Sequence, residues 1–99
     1  MKNVIIAAYA RSPFTPAYKG ELAGIRADDM TAQVVKRLIS ESDINPNDIE
    51  DLILGCAFPE AEQGLNMARL LVSLADLPIS VAGTTINRFC GSSMQAIHF

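Results

Sequence analysis

Residues 84–99 read TTINRFCGSSMQAIHF, and the fold turns on where this stretch is divided. With the three residues before it, it gives Val81-Ala82-Gly83-Thr84-Thr85-Ile86, a short run rich in β-branched side chains and suited to a strand. Cys90, Gly91, Ser92 and Ser93 follow, and then Met94, Ile97 and Phe99 recur at helical spacing. The expected division is strand, tight turn, helix, with the third helix opening at residue 90. Cys90 stands where the chain passes from one to the other.

The pattern upstream has the same rhythm. Residues 4–9 (Val-Ile-Ile-Ala-Ala-Tyr) form a continuous apolar run of strand length, as in a sheet covered on both faces. Residues 11–24 carry Pro13, Pro16, Gly20 and Gly24 and read as turn and loop. Asp28 or Asp29 is positioned to cap a helix bearing Thr31, Val34, Val35, Leu38 and Ile39 on one stripe. Asn45-Pro46 fits an N-cap and first-turn proline for one short helical turn. Residues 51–57 form a second strand candidate, and Phe58, Pro59 and Glu60 close it into a loop running through Gln63-Gly64. From Asn66 a second helix, apolar most of the way round, runs to Ala75, and Leu77-Pro78 stops it. The expected order is β-α-β-α-β-α, with crossovers long enough for parallel strands.

Composition narrows the function classes. The chain has 99 residues, 49% of them apolar, which argues against disorder. Eight basic and eleven acidic residues are well mixed for a formal charge of -3, so no basic block favours nucleic acid. The apolar run at residues 4–10 is too short to span a bilayer and leads straight into Arg11-Ser12-Pro13, so a cytoplasmic protein with neither membrane span nor signal peptide is expected. Two cysteines, not in a Cys-x-x-Cys pair, and one histidine are too few soft ligands for a zinc site. Both thiols are expected to be free. The third helix has barely begun at Phe99 and no stop signal follows. We therefore expect residues 1–99 to be an incomplete N-terminal domain, cut inside a helix.

Cys90 has two readings. A free cysteine is commonly buried and inert. Against that, ligands gather at the carboxyl ends of strands in open α/β sheets, and Cys90 lies just past such an end. The unpaired amides of a helix start favour a thiolate. Gly91 leaves room for a substrate carbonyl, and the Cys90 N–H could face a developing oxyanion. Cys56 lies within a strand pattern beside Leu54, Gly55 and Ala57, and the buried, inert reading suits it. His98 does not serve as base for Cys90, because eight helical residues rise about 12 Å where a hydrogen bond needs about 3 Å.

Asn87-Arg88-Phe89-Cys90-Gly91-Ser92-Ser93-Met94-Gln95-Ala96 closely resembles the nucleophile segment of the thiolases, the acyl-CoA C-acyltransferases. Ala10-Arg11-Ser12-Pro13-Phe14 resembles that family's post-strand turn, and Gln63-Gly64-Leu65-Asn66-Met67-Ala68-Arg69 its loop-to-helix segment. The three occur in the family's order and span nearly the whole chain. The resemblance implies a thiolase-like α/β fold, of which these residues are the first part of the N-terminal half. It implies that Cys90 attacks a 3-ketoacyl-CoA, keeps the acyl group as a thioester and passes it to coenzyme A, a substrate and not a resident cofactor. It places the remaining catalytic groups and the coenzyme A-binding region downstream, so this polypeptide alone is expected to be inactive. It also implies a homodimer or homotetramer. The residues after Cys90 look more like the degradative branch than the acetoacetyl-CoA-forming acetyl-CoA C-acetyltransferases. A ketoacyl synthase fits Asn87-Arg88 and Gln63-Gly64 less well. A non-catalytic lipid-carrier or scaffold relative would have no use for the Cys90-Gly91 pair. Gln63 and Asn66 are expected to support the site or an interface, or Asn66 simply to cap its helix. Arg69 is expected to be structural and to need a partner carboxylate.

Overall fold

The structure, a computed structural model, describes residues 2–99. Two short strands lie at its centre, β1 (Asp51–Gly55) and β2 (Ala82–Ile86). They pair in parallel, with Asp51 opposite Ala82 and Gly55 opposite Ile86, and the Cys56 N–H donates to the Ile86 carbonyl at 3.0 Å to extend the ladder. A parallel pair needs a crossover. Here it contains α2 (Met67–Leu74). Helix α1 (Ala27–Glu41) precedes β1, and α3 (Ser92–His98) follows β2. Three single turns of 3-10 helix, Glu21–Gly24, Pro46–Asp48 and Ala61–Gln63, punctuate the loops.

Side-chain alternation sorts the helices into layers. Leu52 and Leu54 point to one face of β1 and pack on Ala32 of α1 and on Met67, Leu71 and Ala75 in and just after α2. Their partners on β2, Gly83 and Thr85, share that face. A side chain at Gly83 would lie 2.6 Å from the Arg69 backbone of α2. Gly55 points the other way, where a Cβ would lie 2.3 Å from the Ser93 nitrogen of α3. The sheet is thus covered by α1 and α2 on one face and by α3 on the other. Burial on both faces explains why residues 52–54 are apolar without alternation.

The α/β class and the second and third strand candidates form as expected. Residues 4–9 do not form the expected first strand. They hydrogen-bond to neither β1 nor β2, and Val4 is 98% exposed. An apolar run becomes a strand only by pairing its backbone with a neighbour, and this run has no such neighbour here. The order among the described residues is therefore α-β-α-β-α. Ile97 and Phe99 of the third helical stripe also remain largely exposed.

Neither aspartate caps α1 in the expected way. The N-cap is Arg26, which makes no side-chain cap bond. Asp28 lies buried in the first turn and takes a two-pronged grip from Arg26, at 3.0 Å from Nε and 2.7 Å from Nη2. The Arg26 guanidinium also approaches Glu62 at 3.7 Å, and Glu62 accepts the Ala27 N–H. An acidic first turn suits the positive end of a helix. The expected α1 stripe of Thr31, Val34, Val35, Leu38 and Ile39 is half-buried throughout, and the buried Asp28 and Ala32 join it. Asn45 does cap its turn, accepting the Asn47 N–H at 3.0 Å. Helix α2 is buried along Met67, Ala68, Leu71 and Val72 and open at Leu70 and Leu74. Asp76, in the left-handed region at φ 56°, ends it before Leu77-Pro78, with the Leu77 N–H returning to the Val72 carbonyl at 2.9 Å.

The hydrogen bonds from Arg26 hold the Asp28 carboxyl below its usual value. A lowered folded-state pKa gives stability that is fully present above the unfolded value of about 3.9 and lost as pH falls through the folded one. Urea unfolding of wild type and Asp28→Asn across pH 2–6 should therefore show a stability gap that is constant above roughly pH 5 and narrows in acid. A gap independent of pH would contradict this.

Candidate active site

The chain leaves β2 at Ile86 and turns through Asn87, Arg88, Phe89 and Cys90 before α3 begins at Ser92. The helix starts two residues later than the sequence suggests. Cys90 is exposed, whereas Cys56 is buried at the end of β1; both thiols are free. The turn is tied by its own polar groups. The Asn87 Oδ1 accepts the Phe89 N–H at 2.8 Å. The Gly91 N–H donates to the Arg88 carbonyl at 3.0 Å, and the Ser92 N–H to the Phe89 carbonyl at 3.1 Å. The two amides that follow the sulfur are therefore already engaged within the turn. The Ser92 hydroxyl donates to the Phe89 carbonyl at 2.7 Å and accepts the Arg88 N–H at 2.8 Å.

Phe89 adopts φ 47°, a left-handed conformation that costs a non-glycine residue roughly 1–2 kcal/mol. The residue is 70% exposed, so packing does little to hold it there. Gly91, at φ -91° and ψ 3°, is not in a glycine-only conformation. A Cβ at Gly91 would meet only the Arg88 carbonyl, at an ordinary 3.5 Å. Arg88 reaches forward to the Gln95 carboxamide, a contact that joins the turn to α3. Asn87 and Arg88 line a hollow of about 370 Å³ with Ile86, Gln95 and Phe99.

His98 sits at the far end of α3 from Cys90, and no hydrogen bond joins the two. Among the described residues no group of three or more His, Cys, Asp and Glu side chains could hold a metal ion, and no helix is long and apolar enough to cross a membrane. Cys56 instead borders a cavity of about 230 Å³ with Thr31, Phe58, Gln63 and Met67. Gln63 braces that loop by donating to the Phe58 carbonyl at 3.0 Å.

Asn66 occupies the N-cap position of α2 but makes no cap bond of its own. Its Nδ2 donates to the Gly83 carbonyl at 2.8 Å, and its Oδ1 accepts the Thr85 hydroxyl at 2.7 Å. Thr85 in turn accepts the Ala68 N–H at 2.9 Å. The cap of α2 thus comes from β2, seventeen residues away in sequence. Arg69 has no carboxylate partner; its Nη1 and Nη2 donate to the carbonyls of Val81 and Ile79 at 2.6 and 3.1 Å. Carbonyls at the entry to β2 provide its compensation.

Gly55 and Thr85 carry site geometry that the sequence reading did not assign to them. Gly55 brings the α3 backbone directly onto β1. A glycine inside a strand pattern is a signal of close backbone approach, and it stood in plain view beside Cys56. No local pattern marks Thr85, because its partners lie on a distant helix start.

Residues 4–99 match the family described as "Thiolase, N-terminal domain". The chain is 48% identical over 99 residues to a 3-ketoacyl-CoA thiolase of Bacillus subtilis (strain 168), covering all of this chain and 25% of that protein. It is 45% identical over 97 residues to a 3-ketoacyl-CoA thiolase of Acinetobacter baylyi, covering 98% and 25%. A protein of the same name from Aliivibrio fischeri is 46% identical over 99 residues, covering 99% and 26%. The chain spans about a quarter of the length of these curated relatives.

A methyl group at position 55 has nowhere to go without moving α3. Gly55→Ala should destabilise the protein by about 1–3 kcal/mol, whereas Gly91→Ala should change stability by less than about 0.5 kcal/mol. Denaturant midpoints measure both, and equal effects would refute the backbone contact as the deciding constraint.

Proposed function

This chain belongs to the thiolase family, as its N-terminal domain, and from that premise we propose that Cys90 is the nucleophile of an acyl-CoA C-acyltransferase. The exposed position of Cys90 on the turn between β2 and α3 carries the reading. A nucleophile on a tight strand-to-helix turn is presented with its sulfur clear of the sheet, as the serine hydrolases present an oxygen. The buried Cys56 lacks that access.

In the proposed reaction the Cys90 thiolate attacks the keto carbon of a 3-ketoacyl-CoA. The bond between that carbon and the adjoining methylene breaks, and its electron pair leaves with the methylene. Protonation of this carbanion gives acetyl-CoA, while the shortened acyl group stays on Cys90 as a thioester. The thiolate of a second coenzyme A then attacks the thioester carbonyl, releasing acyl-CoA and the Cys90 thiolate. Two half-reactions through a covalent intermediate give ping-pong kinetics. Coenzyme A enters as substrate in the second half. The proton transfers need an acid and a base, and neither His98 nor Cys56 suits that work. We assign it to the part of the protein outside these residues, so that residues 1–99 alone do not turn over.

The test uses the full-length protein. Cys90→Ala should abolish acyl transfer and leave the circular dichroism spectrum unchanged. Iodoacetamide should label Cys90 well ahead of Cys56, and a coenzyme A thioester should protect it. Retained activity in Cys90→Ala, or equal labelling of the two thiols, would overturn the assignment.

A further inference from the structure

We infer that Ser92 is a positioning residue for the Cys90 sulfur: its buried hydroxyl clamps the left-handed Phe89 backbone and so fixes the direction in which Cys90 leaves the turn. The inference deepens the proposed role of Cys90 and rests on it for its bearing on catalysis. Its structural content can be tested separately.

Residues 87–91 are all exposed, and Ser92 directly after them is 3% exposed. The turn therefore has one buried anchor, and that anchor is polar. Its hydroxyl accepts from the Arg88 N–H and donates to the Phe89 carbonyl. It thus ties the Asn87–Arg88 peptide group to the Phe89–Cys90 peptide group across the turn. The Ser92 N–H gives that carbonyl a second donor. On the other side, the Asn87 carboxamide oxygen takes the Phe89 N–H. Every polar group of the Phe89 backbone is pinned, while the residue is largely exposed. Polar clamping, and not packing, keeps φ at 47°. Cys90 is the next residue. Without the clamp, Phe89 relaxes toward the right-handed or extended regions that L-residues prefer, and the Cys90 Cα–Cβ bond swings with it.

A merely structural serine and a positioning serine differ in one respect. If Ser92 works by holding a strained φ, a glycine at position 89 should compensate for its loss, since glycine adopts that conformation freely. If Ser92 only stabilises the fold, the same glycine removes a side chain, adds unfolded-state entropy and rescues nothing.

The experiment measures the second-order rate constant for iodoacetamide alkylation of Cys90, with kcat/KM alongside, in the full-length protein. Loss of the clamp should slow both by about tenfold in Ser92→Ala, the equivalent of one to two hydrogen bonds. The double variant Ser92→Ala/Phe89→Gly should recover most of the loss. Asn87→Ala at the exposed end of the clamp should slow alkylation in the same way and be rescued by the same glycine; it carries the test should Ser92→Ala not fold. Wild-type alkylation in the clamp variants, or no recovery with Phe89→Gly, overturns the inference. Because alkylation needs no turnover, it judges the clamp even if Cys90→Ala retains acyl transfer, the result that would sink the nucleophile assignment instead.

Discussion

The parallel pairing of β1 with β2 is the constraint from which the rest follows. Two parallel strands cannot be joined by a hairpin, so the chain must cross over, and α2 is the crossover. The pairing sets Gly83 under α2 and Gly55 under α3, each at backbone-contact distance. It also ends both strands at the same edge, where Gly55 lies opposite Ile86. The turn bearing Cys90 starts there. A one-residue slip would turn Leu52 and Leu54 away from α1 and α2 and press a side chain against the helix backbone where glycine now sits.

The turn illustrates how an exposed cysteine is held without a large core beneath it. The sequence suggests a cysteine on the first turn of a helix, served by free amides. The structure places it two residues ahead of α3, in a loop whose amides at Gly91 and Ser92 are used to close the turn. Strain at Phe89 and the hydroxyl of Ser92 give that loop its shape. Strained backbone persists only where its surroundings determine it, and here two short polar side chains, Asn87 and Ser92, are the surroundings.

Much of the fold was legible because it is written in local pattern. The apolar run of β1, the β-branched residues of β2, the Asn45-Pro46 turn and the buried Cys56 needed only periodicity and turn chemistry. The errors share a cause. Residues 4–9 carry the composition of a covered strand, yet composition cannot provide a hydrogen-bonding neighbour. Asp28 looks like a helix cap and is instead the partner of Arg26. Asn66 does stand at a helix start, but its amide reaches β2 in place of its own helix, and Thr85 supplies the cap. Arg69 finds carbonyls where a carboxylate was expected. For these side chains the residue type was read correctly and the partner was not: Asp28 pairs two residues back, and the partners of Asn66 and Arg69 lie ten or more residues away.

By itself the sequence determined the α/β class, the family and the position of Cys90 at a strand-to-helix junction, because periodicity, turn residues and ordered motifs are properties of neighbouring residues. Only the tertiary structure decided which segments pair, which glycines admit a helix backbone, and which side chains cap, clamp or anchor the site. Those outcomes depend on contacts between segments far apart in the chain, and a hydrogen-bond donor carries no local mark of the acceptor that folding will bring to it.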